Sequence, residues 1–417
     1  MTSVRLSIFM LLLLFGPPLS ATDIRFSCSL WGCQAFQERA KIWAHEHGHR
    51  LISYEVGRMA DNLLGFYRQF LSAQSQDFDI LLIDTIWPGV LGQHLVDLRP
   101  YLSSSTIEQH FKPIIDNLTD ESGHLVGLPL FTDAGLLYYR KDLLDKYGFA
   151  PPETWAELEH IARVIVEREA DPQLVGFLWQ GSGYEGLTCN ALEWIDSYRG
   201  GTIIDATGEI TINNPQARRA LAMARDWIGT ISPRTVLTYS EIETTQDFVA
   251  GHAIFMRNWM EYWKDVEAPD SAVKGRVGMV PLPKGGADGK HSGTLGDMSL
   301  AVSRYSEHIP EAVQLIVYLT DQQAQHQYAT DYSFSPTIMD LYAVLSAIPE
   351  RSFMFAFKDV LLNGVARPAT VTGIAYPKVS KKFYTTVHAI LSGEVAIDAA
   401  LNTLEADLRL IHHRANW

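Results

Sequence analysis

The sequence predicts an α/β fold built as two lobes, and three observations support this prediction. The N-terminal part alternates strand and helix patterns in the order β-α-β-α-β, which favours a doubly wound sheet. A second α/β region runs from about residue 136 to residue 295. No low-complexity linker separates the two regions, so we expect short strands or loops to join them as a hinge beside a cleft.

The elements of the first region follow from the periodicity of its apolar residues. Strands are predicted at 23–29, 51–56 and 78–83, with helices at 34–47 and 61–72 between them. The third strand, FDILLI, is almost entirely apolar, as strands buried on both faces are. Ligands of such sheets lie at the carboxyl ends of the strands, and Asp84 directly follows this strand.

The second region begins with an apolar run at 136–139, which predicts a buried strand. The lone acid Asp133 precedes it, in what is expected to be a loop, where an acid is placed to meet a ligand. A strand at 175–179, helices at 187–198 and 215–228, and a short strand within 251–259 follow. Amphipathic helices are predicted at 309–319, 377–391 and 395–410.

Length and composition limit the possible functions. The chain has 417 residues, more than one core usually supports, with 47% hydrophobic and 20% charged residues. The formal net charge is -14, and it becomes more negative once Arg5 is lost with the predicted leader. An acidic chain of this kind is not expected to bind nucleic acid or anionic membrane surfaces.

The first 21 residues are predicted to be a secretory signal peptide. Arg5 precedes an apolar run at 6–15, and small residues lead to Ala21, the expected end of the leader. The run is too short to cross a bilayer, and a retained N-terminal anchor is the alternative. We therefore expect an exported, soluble protein of the periplasm.

The three cysteines do not form a disulfide framework. Cys28 and Cys33 are five residues apart, and a local bridge between them is one of two open alternatives, because geometry rather than spacing decides the matter. Cys189 falls within a predicted helix and is expected to be a small buried apolar group.

Two short motifs match enzyme signatures. The run from His45 to His49, HEHGH, matches the zinc-protease pattern, which needs both histidines on one continuous helix. Gly48 falls where the helix is expected to end, so a solvated helix end is favoured over a metal site.

The second motif, GSGYEG at 181–186, is a literal G-x-G-x-x-G between a strand and a helix. A dinucleotide site should also open a βαβ unit that carries a ribose-binding acid, whereas this motif lies in the middle of an exported chain. The structural alternative is a helix N-terminus with Glu185 in its first turn. We expect no cofactor and no catalytic residues.

Four residues have the chemistry of a sugar site. Sugars present apolar C–H faces and a rim of hydroxyls, so a site for them needs aromatic rings together with charged groups. Asp84, Asp133, Trp259 and Arg367 are of these types, each at a predicted strand end or loop. Any one of them alone is more often a hydrogen-bonded structural residue.

Several segments together resemble the bacterial extracellular solute-binding proteins of the maltose and trehalose type, the sugar-capturing subunits of ABC importers. The resemblance covers nearly the whole mature chain and depends on the order and spacing of the segments. These segments are FDILLIDTIW (78–87), FTDAGLLYYRKDLLDKYGFAPPETWAEL (131–158), 179–194, GHAIFMRNW (251–259), GMVPLP (278–283), RPAT (367–370) and YPKVS (376–380).

The resemblance implies a type II periplasmic-binding-protein fold with three crossovers, closing over a sugar. It implies a first lobe made of 22–131 plus 297–345 and a second lobe made of 132–296 plus 346–417. The implied function is to bind an α-glucoside or disaccharide, such as maltose, trehalose or glucosylglycerol, and to deliver it to the permease. Such a protein is not an enzyme and is expected to act as a monomer.

The resemblance also implies roles for individual residues. Two acids would hold sugar hydroxyls, an indole would stack on the ring, and an arginine would act as a basic clamp. A glutamine in the loop after the first strand would take the place of an acid. The implied ligand-binding residues are Asp84, Asp133, Trp259, Arg367, Gln34, Glu185, Asp297, Tyr184 and Asn258.

Two departures from the family pattern leave the ligand open. Asp297-Met298 stands where α-disaccharide binders usually have Gly-Trp, so an aromatic surface is lost and an acceptor is gained. Leu63 stands near the place of a family arginine. A smaller or more polar glucoside is expected on this account. A secreted carbohydrate-active enzyme and a binder of a non-sugar solute are the alternatives.

Overall fold

A computed structural model describes residues 21–28, 30–56, 60–120, 122–348, 353–415 and 417. Within these ranges the side chains of residues 30–34, 60–61 and 353–356 are not described. The predicted signal peptide, apart from Ala21, therefore lies outside the described residues, and so does the side chain of Gln34. No helix in the described ranges is both long enough and apolar enough to cross a membrane.

Two β-sheets organise the described part of the chain. The first sheet has the strand order β2-β1-β3-β9-β4, and the second has the order β6-β7-β5-β8. In the first sheet β1 pairs in parallel with β2 and β3, whereas β9 is antiparallel to both of its neighbours. The strands are β1 Asp23–Cys28, β2 Arg50–Glu55, β3 Ile80–Asp84, β4 Leu128–Ala134, β5 Leu136–Arg140, β6 Val175–Leu178, β7 Ala253–Asn258, β8 Val277–Pro281 and β9 Leu295–Val302.

Helices cover the faces of both sheets. They are α1 Leu30–Glu46, α2 Ala60–Ser72, α3 Pro88–Leu91, α4 Ser104–Glu108, α5 Lys112–Asn117, α6 Lys141–Tyr147, α7 Trp155–Glu169, α8 Glu185–Ser197, α9 Pro215–Trp227, α10 Glu241–Val249, α11 Trp263–Val266, α12 Ile309–Thr320, α13 Gln322–Tyr332, α14 Leu341–Ser346, α15 Phe353–Asn363, α16 Ala369–Thr372, α17 Tyr376–Leu391 and α18 Ile397–Ala415. The α/β prediction is therefore confirmed.

Each sheet has its own hydrophobic core. The core of the first sheet includes β3, whose five residues are all buried. The core of the second includes Trp155, Trp179, Trp194 and Trp227, whose rings pack in tilted and edge-on contacts. Because burying an aromatic side chain removes a large apolar area from water, this tryptophan group contributes strongly to the stability of the second core.

The predicted loop position of Asp133 is wrong, because this residue lies inside strand β4. Gly135 separates β4 from β5, and these two consecutive strands belong to different sheets. A side chain at Gly135 would collide with the carboxylate of Glu193, since an ideal Cβ would lie 2.0 Å from its Oε1. The chain therefore needs a glycine where it passes from the first sheet to the second.

The chain crossings lie side by side. The chain returns to the first sheet through Gly293 and Thr294, which precede β9. Val365 lies against this crossing, donating to the Gly293 carbonyl and accepting from the Leu295 amide, both at 2.9 Å. At these two crossings, both within the described residues, the expected short connections are present, and they lie between the sheets.

The two enzyme-like motifs lie at a helix end and at a strand-to-helix connection. Helix α1 ends at Glu46, so the histidines of the HEHGH run are not on one continuous helix, and Gly48 has φ 73°. The GSGYEG motif connects β6 to α8, and the ring of Tyr184 packs against Gly186. Cys28 is disulfide-bonded, whereas Cys189 is a buried free thiol as expected, and the side chain of Cys33 is not described.

Candidate ligand site between the two sheets

The pairing of β4 with β9 assigns the candidate residues to two faces of the first sheet. Asp133 lies opposite Gly296, and Thr132 lies opposite Asp297. Successive side chains of a strand point to opposite faces, whereas directly paired residues share a face. We call the face of Gly296 the front face and the face of Asp297 the back face.

Asp84 and Asp133 belong to the front face. Asp84 ends β3 and lies opposite Met298, which is on the same face of β9 as Gly296. Asp133 accepts from the Met260 amide with both carboxylate oxygens, at 3.2 and 3.1 Å, and from the Ala134 amide at 2.7 Å. Asp133 therefore connects the first sheet to the segment that follows β7 of the second.

Trp259 leaves the end of β7 and lies against the front face. An ideal Cβ on Gly296 would lie 3.3 Å from the six-membered ring of Trp259. The indole Nε1 donates to Glu241 at 3.3 Å, and its ring remains partly exposed. An aromatic face is thus available close to Asp133, which is the arrangement that a sugar ring requires.

A buried ion pair supports Trp259 from within the second lobe. The guanidinium carbon of Arg257 lies 4.0 Å from the centre of the indole. Arg257 Nε donates to Glu193 at 2.9 Å, and its Nη2 donates to the other oxygen of the same carboxylate. A two-point Arg–carboxylate pair fixes the plane of the guanidinium, so the stacked indole is held in place. Neither Arg257 nor Glu193 is predictable as a site residue from the sequence, because paired buried charges have no sequence pattern of their own.

Glu261 is a second acid at Asp133 that sequence analysis missed. Burial raises the pKa of Asp133, while hydrogen bonds from Glu261 and from the Met260 and Ala134 amides oppose the rise. Burial and the charge of Asp133 raise the pKa of Glu261 well above its usual range. The two neighbouring carboxyls are therefore not both charged, and a shared proton joins them. The acid two residues after Trp259 was the available sequence signal.

Arg367 joins residues of the two lobes. Its Nη2 donates to Asp84 Oδ1 at 3.2 Å, and its Nη1 donates to Glu185 Oε1 at 3.1 Å. Asp84 belongs to the first sheet, and Glu185 begins α8, which packs in the second core. All three side chains are buried, so this ion cluster acts where water does not screen it.

Glu185 is engaged by protein groups at both of its oxygens. Tyr376 donates to Oε1, and Ser380 donates to Oε2 at 2.6 Å. In this arrangement Glu185 binds Arg367, whereas the resemblance implied that Glu185 accepts hydrogen bonds from sugar hydroxyls. Its neighbour Tyr184 is partly exposed and donates to Glu241 at 2.5 Å.

Asn258 has no exposed surface, and its hydrogen bonds lie inside the second lobe. Its amide donates to Thr245 at 2.9 Å, and its carbonyl oxygen accepts from the Trp259 amide at 3.0 Å. These contacts fix the turn that carries Trp259 out of β7. Asn258 thus supports the indole from behind.

Asp297 lies on the back face, opposite to the face of Asp84 and Asp133. It lines a cavity of about 430 Å³ together with Thr132 and Thr85. Burial, aided by the charge of Asp84, raises the pKa of Asp297 to about 7, although a hydrogen bond from Thr85 opposes the rise. Asp297 stands at the position of the family glycine and faces a separate compartment, whereas Met298, at the position of the family tryptophan, lies on the front face.

The residues implied by the resemblance thus differ in position: some lie at the front face, Glu185 and Asn258 support other site residues, and Asp297 lies on the back face. Asp84 and Asp133 belong to the front face, Trp259 lies against that face at Gly296, and Arg367 binds Asp84. Tyr184 is connected to Trp259 through Glu241. The arrangement offers an aromatic face, carboxylates and a buried cation at a junction of two lobes.

Comparison with known proteins identifies the family. The family model for bacterial extracellular solute-binding proteins matches residues 63–326. The chain belongs to this family. It is therefore a solute-binding protein, and the family expected from the sequence is confirmed.

Individual relatives support the assignment. A probable ABC transporter-binding protein of Deinococcus radiodurans is 43% identical over 403 residues, covering 94% of each chain. The structure of T. maritima MalE3 with bound maltose matches with a TM-score of 0.87 and 31% identity, covering 94% of this chain and 100% of that one. The acarbose-binding GacH receptor of Streptomyces glaucescens has a TM-score of 0.81 at 20% identity, covering 94% and 98%, and shares the fold.

Proposed function

We propose that this protein is the substrate-binding subunit of an ABC importer and that it captures an α-linked glucoside between its two lobes. The ligand is then delivered to the membrane permease. The proposal combines the family with the chemistry at the front face. Its main support is that the Trp259 ring lies beside Gly296, and Gly296 is the residue of β9 that pairs directly with Asp133 of β4.

Each group at the front face suits one part of a sugar. The partly exposed indole of Trp259 offers a flat apolar surface for the C–H face of the ring. Asp84 and Asp133 accept hydrogen bonds from hydroxyls, and such charge-assisted bonds are stronger than neutral ones.

Closure of the two lobes around the ligand makes the polar contacts with the sugar favourable. A hydroxyl–carboxylate bond offsets the lost hydration only where water is excluded, so affinity depends on the two lobes meeting around the ligand. A micromolar binder needs about -8 kcal/mol in total. One stacked indole and two or three charge-assisted hydrogen bonds supply this amount after the cost of ordering.

The ligand class follows from the front face and from the relatives. MalE3 binds maltose, and a partial match of 26% identity over 191 residues, covering 42% of this chain and 41% of its relative, is to a maltodextrin-binding protein of Bacillus subtilis. Because Met298 stands where the family usually has a tryptophan and lies on the front face, the front site has one aromatic surface fewer than disaccharide binders usually have. This favours trehalose, maltose or the smaller glucosylglycerol over long oligosaccharides.

The remaining expectations belong to the same proposal. The protein is exported to the periplasm after cleavage near Ala21 and works there as a monomer. The first lobe comprises 22–131 plus 297–345, and the second comprises 132–296 plus 346–417. Gln34 contributes an amide from the loop after the first strand.

A secreted glycosidase is the competing function, and the acid pair at the front face argues against it. Glycosidases separate their two carboxyl groups by about 5–9.5 Å to accommodate a nucleophile or a water. Asp133 and Glu261 are hydrogen-bonded to each other, which is closer than either mechanism uses. The pair is suited to binding rather than to bond cleavage.

A thermal-shift screen tests the proposal. A specific ligand raises the melting temperature by mass action, by the equivalent of about 2.7 kcal/mol at a hundredfold excess over Kd. We expect a shift with at least one of maltose, trehalose and glucosylglycerol and none with polyamines. Incubation with labelled disaccharides should leave them intact. Turnover of any of them would replace the proposal with the glycosidase.

A further inference from the structure

Residues on both sides of the chain crossings line the cavity on the back face of the first sheet. One wall comes from α5 and the residues after β3, and the floor comes from the paired strands β4 and β9. The other wall is the segment 361–370, which runs from the end of α15 to the start of α16. The lining residues are Thr85, Ile86, Phe111, Pro113, Ile114, Asp116, Asn117, Thr132, Leu295, Asp297, Leu361, Leu362, Gly364, Ala366, Arg367, Ala369 and Thr370.

This cavity is separate from the front site. Strand alternation places Thr132 and Asp297 on one face and Asp133 and Gly296 on the other. Trp259, Asp133 and Glu261 do not line the cavity, whereas Arg367 borders both compartments. The back cavity is therefore not an extension of the space beside the indole.

The walls are mostly apolar, and they include an unsatisfied acceptor. Asp297 is only 8% exposed, and its buried Oδ1 has no hydrogen-bond partner among the described residues. Arg367 also lines the cavity; its two terminal nitrogens bind Asp84 and Glu185, and its Nε has no hydrogen-bond partner among the described residues. Buried polar atoms are normally paired, so an unpaired carboxylate oxygen in a cavity wall indicates a missing donor.

The size and chemistry of the cavity define its occupant. A volume of about 430 Å³ lies in the range of small-molecule sites, which combine apolar walls with a few placed polar groups. Phe111, Ile114 and Leu361 suit an apolar body, and Asp297 suits one hydroxyl or amine. We propose that this cavity is a second binding site, for a small apolar molecule carrying one hydrogen-bond donor, and that its occupant favours the closed arrangement of the lobes.

The direction of the effect follows from the hinge. The crossings at Gly135 and Gly293, with Val365 hydrogen-bonded against the second, lie between the front site and the back cavity, so a rotation that opens the front narrows the back. A molecule that fills the back cavity resists that rotation. A ligand shifts an equilibrium toward the state it binds better, so the occupant increases sugar affinity. This last step rests on the proposed function, whereas binding in the cavity does not.

Titration with benzyl alcohol and benzylamine tests the site in the full chain. We expect saturable binding of at least one probe to the wild type, followed by isothermal calorimetry and located by crystallography in the back cavity. Ala366→Phe fills the cavity and should abolish binding. Ala343→Phe adds the same ring at an exposed position of α14 and should leave binding unchanged. Asp297→Asn at pH 8 should weaken the amine by more than the alcohol.

The wild-type titration decides the proposal without any variant. No saturation by either probe, or density for the probes elsewhere only, would overturn it, and so would undiminished binding to a folded Ala366→Phe protein. The coupling is tested by repeating the titration with a saturating sugar. Probe affinity should rise at least about fivefold, because coupling between two sites is reciprocal. An unchanged or lower probe affinity contradicts the coupling, and failure of every sugar to bind contradicts the proposed function alone.

Discussion

Thr132 lies directly opposite Asp297 in the antiparallel pairing of β4 with β9, and its neighbour Asp133 lies opposite Gly296. This register separates two acids of the first sheet. Asp133 faces the indole of Trp259 and the hydrogen-bonded Glu261, whereas Asp297 faces a cavity behind the sheet.

Replacing Trp259 with alanine should weaken sugar binding by about 1.5–3 kcal/mol, roughly 10- to 150-fold in Kd, because the stacking surface is lost. Isothermal calorimetry with the sugar found in the thermal-shift screen measures this loss. Trp259→Phe is the matched control, since it keeps a ring and should retain most of the affinity. Wild-type affinity in the alanine variant would remove Trp259 from the site.

Asp297→Asn should stabilise the protein at alkaline pH and have little effect near pH 4. The pKa of Asp297 is raised to about 7, so its charged form is disfavoured in the folded state. The wild type therefore loses stability as the pH rises from about 4 through 7, by at most about 4 kcal/mol. Melting temperatures between pH 4 and pH 9 test this, with the exposed Glu307→Gln as control. An equal effect at all pH values would contradict the prediction.

Arg367→Ala should destabilise the protein by about 3–5 kcal/mol, because it leaves the buried carboxylates of Asp84 and Glu185 without their shared cation. Arg367→Lys keeps the charge but cannot reach both carboxylates with a planar fork, so its cost should be intermediate. Denaturant unfolding at pH 7 measures both variants. Equal stability of the alanine variant and the wild type would show that the cluster does not hold the lobes.

Glu193→Gln should lower both stability and sugar affinity, although Glu193 is fully buried behind the indole. Arg257 would lose its carboxylate partner, at a cost of about 3 kcal/mol, and the stacked Trp259 would lose its fixed support. Glu159→Gln breaks an exposed pair with Arg163 and should cost less than about 1 kcal/mol. An affinity unchanged by Glu193→Gln would mean that the indole is positioned without the ion pair.

The sequence predicted the elements better than the geometry of the site. Apolar periodicity located most strands and helices, although α1 begins at Leu30 rather than Gln34 and α18 extends to Ala415. Strand β9 was not predicted, because its first half, LGDM, lacks the apolar alternation of a strand and is only partly buried. Without β9 no register could be derived, and so the separation of Asp133 from Asp297 could not be seen.

Residue types at the site were predictable, whereas their partners were not. An acid at the end of β3 and an indole after β7 can be recognised along the chain. The hydrogen bonds of Glu185 to Tyr376 and Ser380 join residues about 190 positions apart, and no local pattern indicates them. The same holds for Glu261, whose significance depends on Asp133 lying within hydrogen-bond distance.

The central claim is that the lobes hold a sugar between the Trp259 ring and the Asp133 carboxylate. Calorimetric titration of the wild type and Asp133→Ala with maltose, trehalose and glucosylglycerol tests it most directly. We predict saturable binding of at least one of them by the wild type, near the micromolar range, and a loss of about 10-fold or more in the variant. Equal affinities in the two proteins, or no binding of any sugar by the wild type, would contradict the claim.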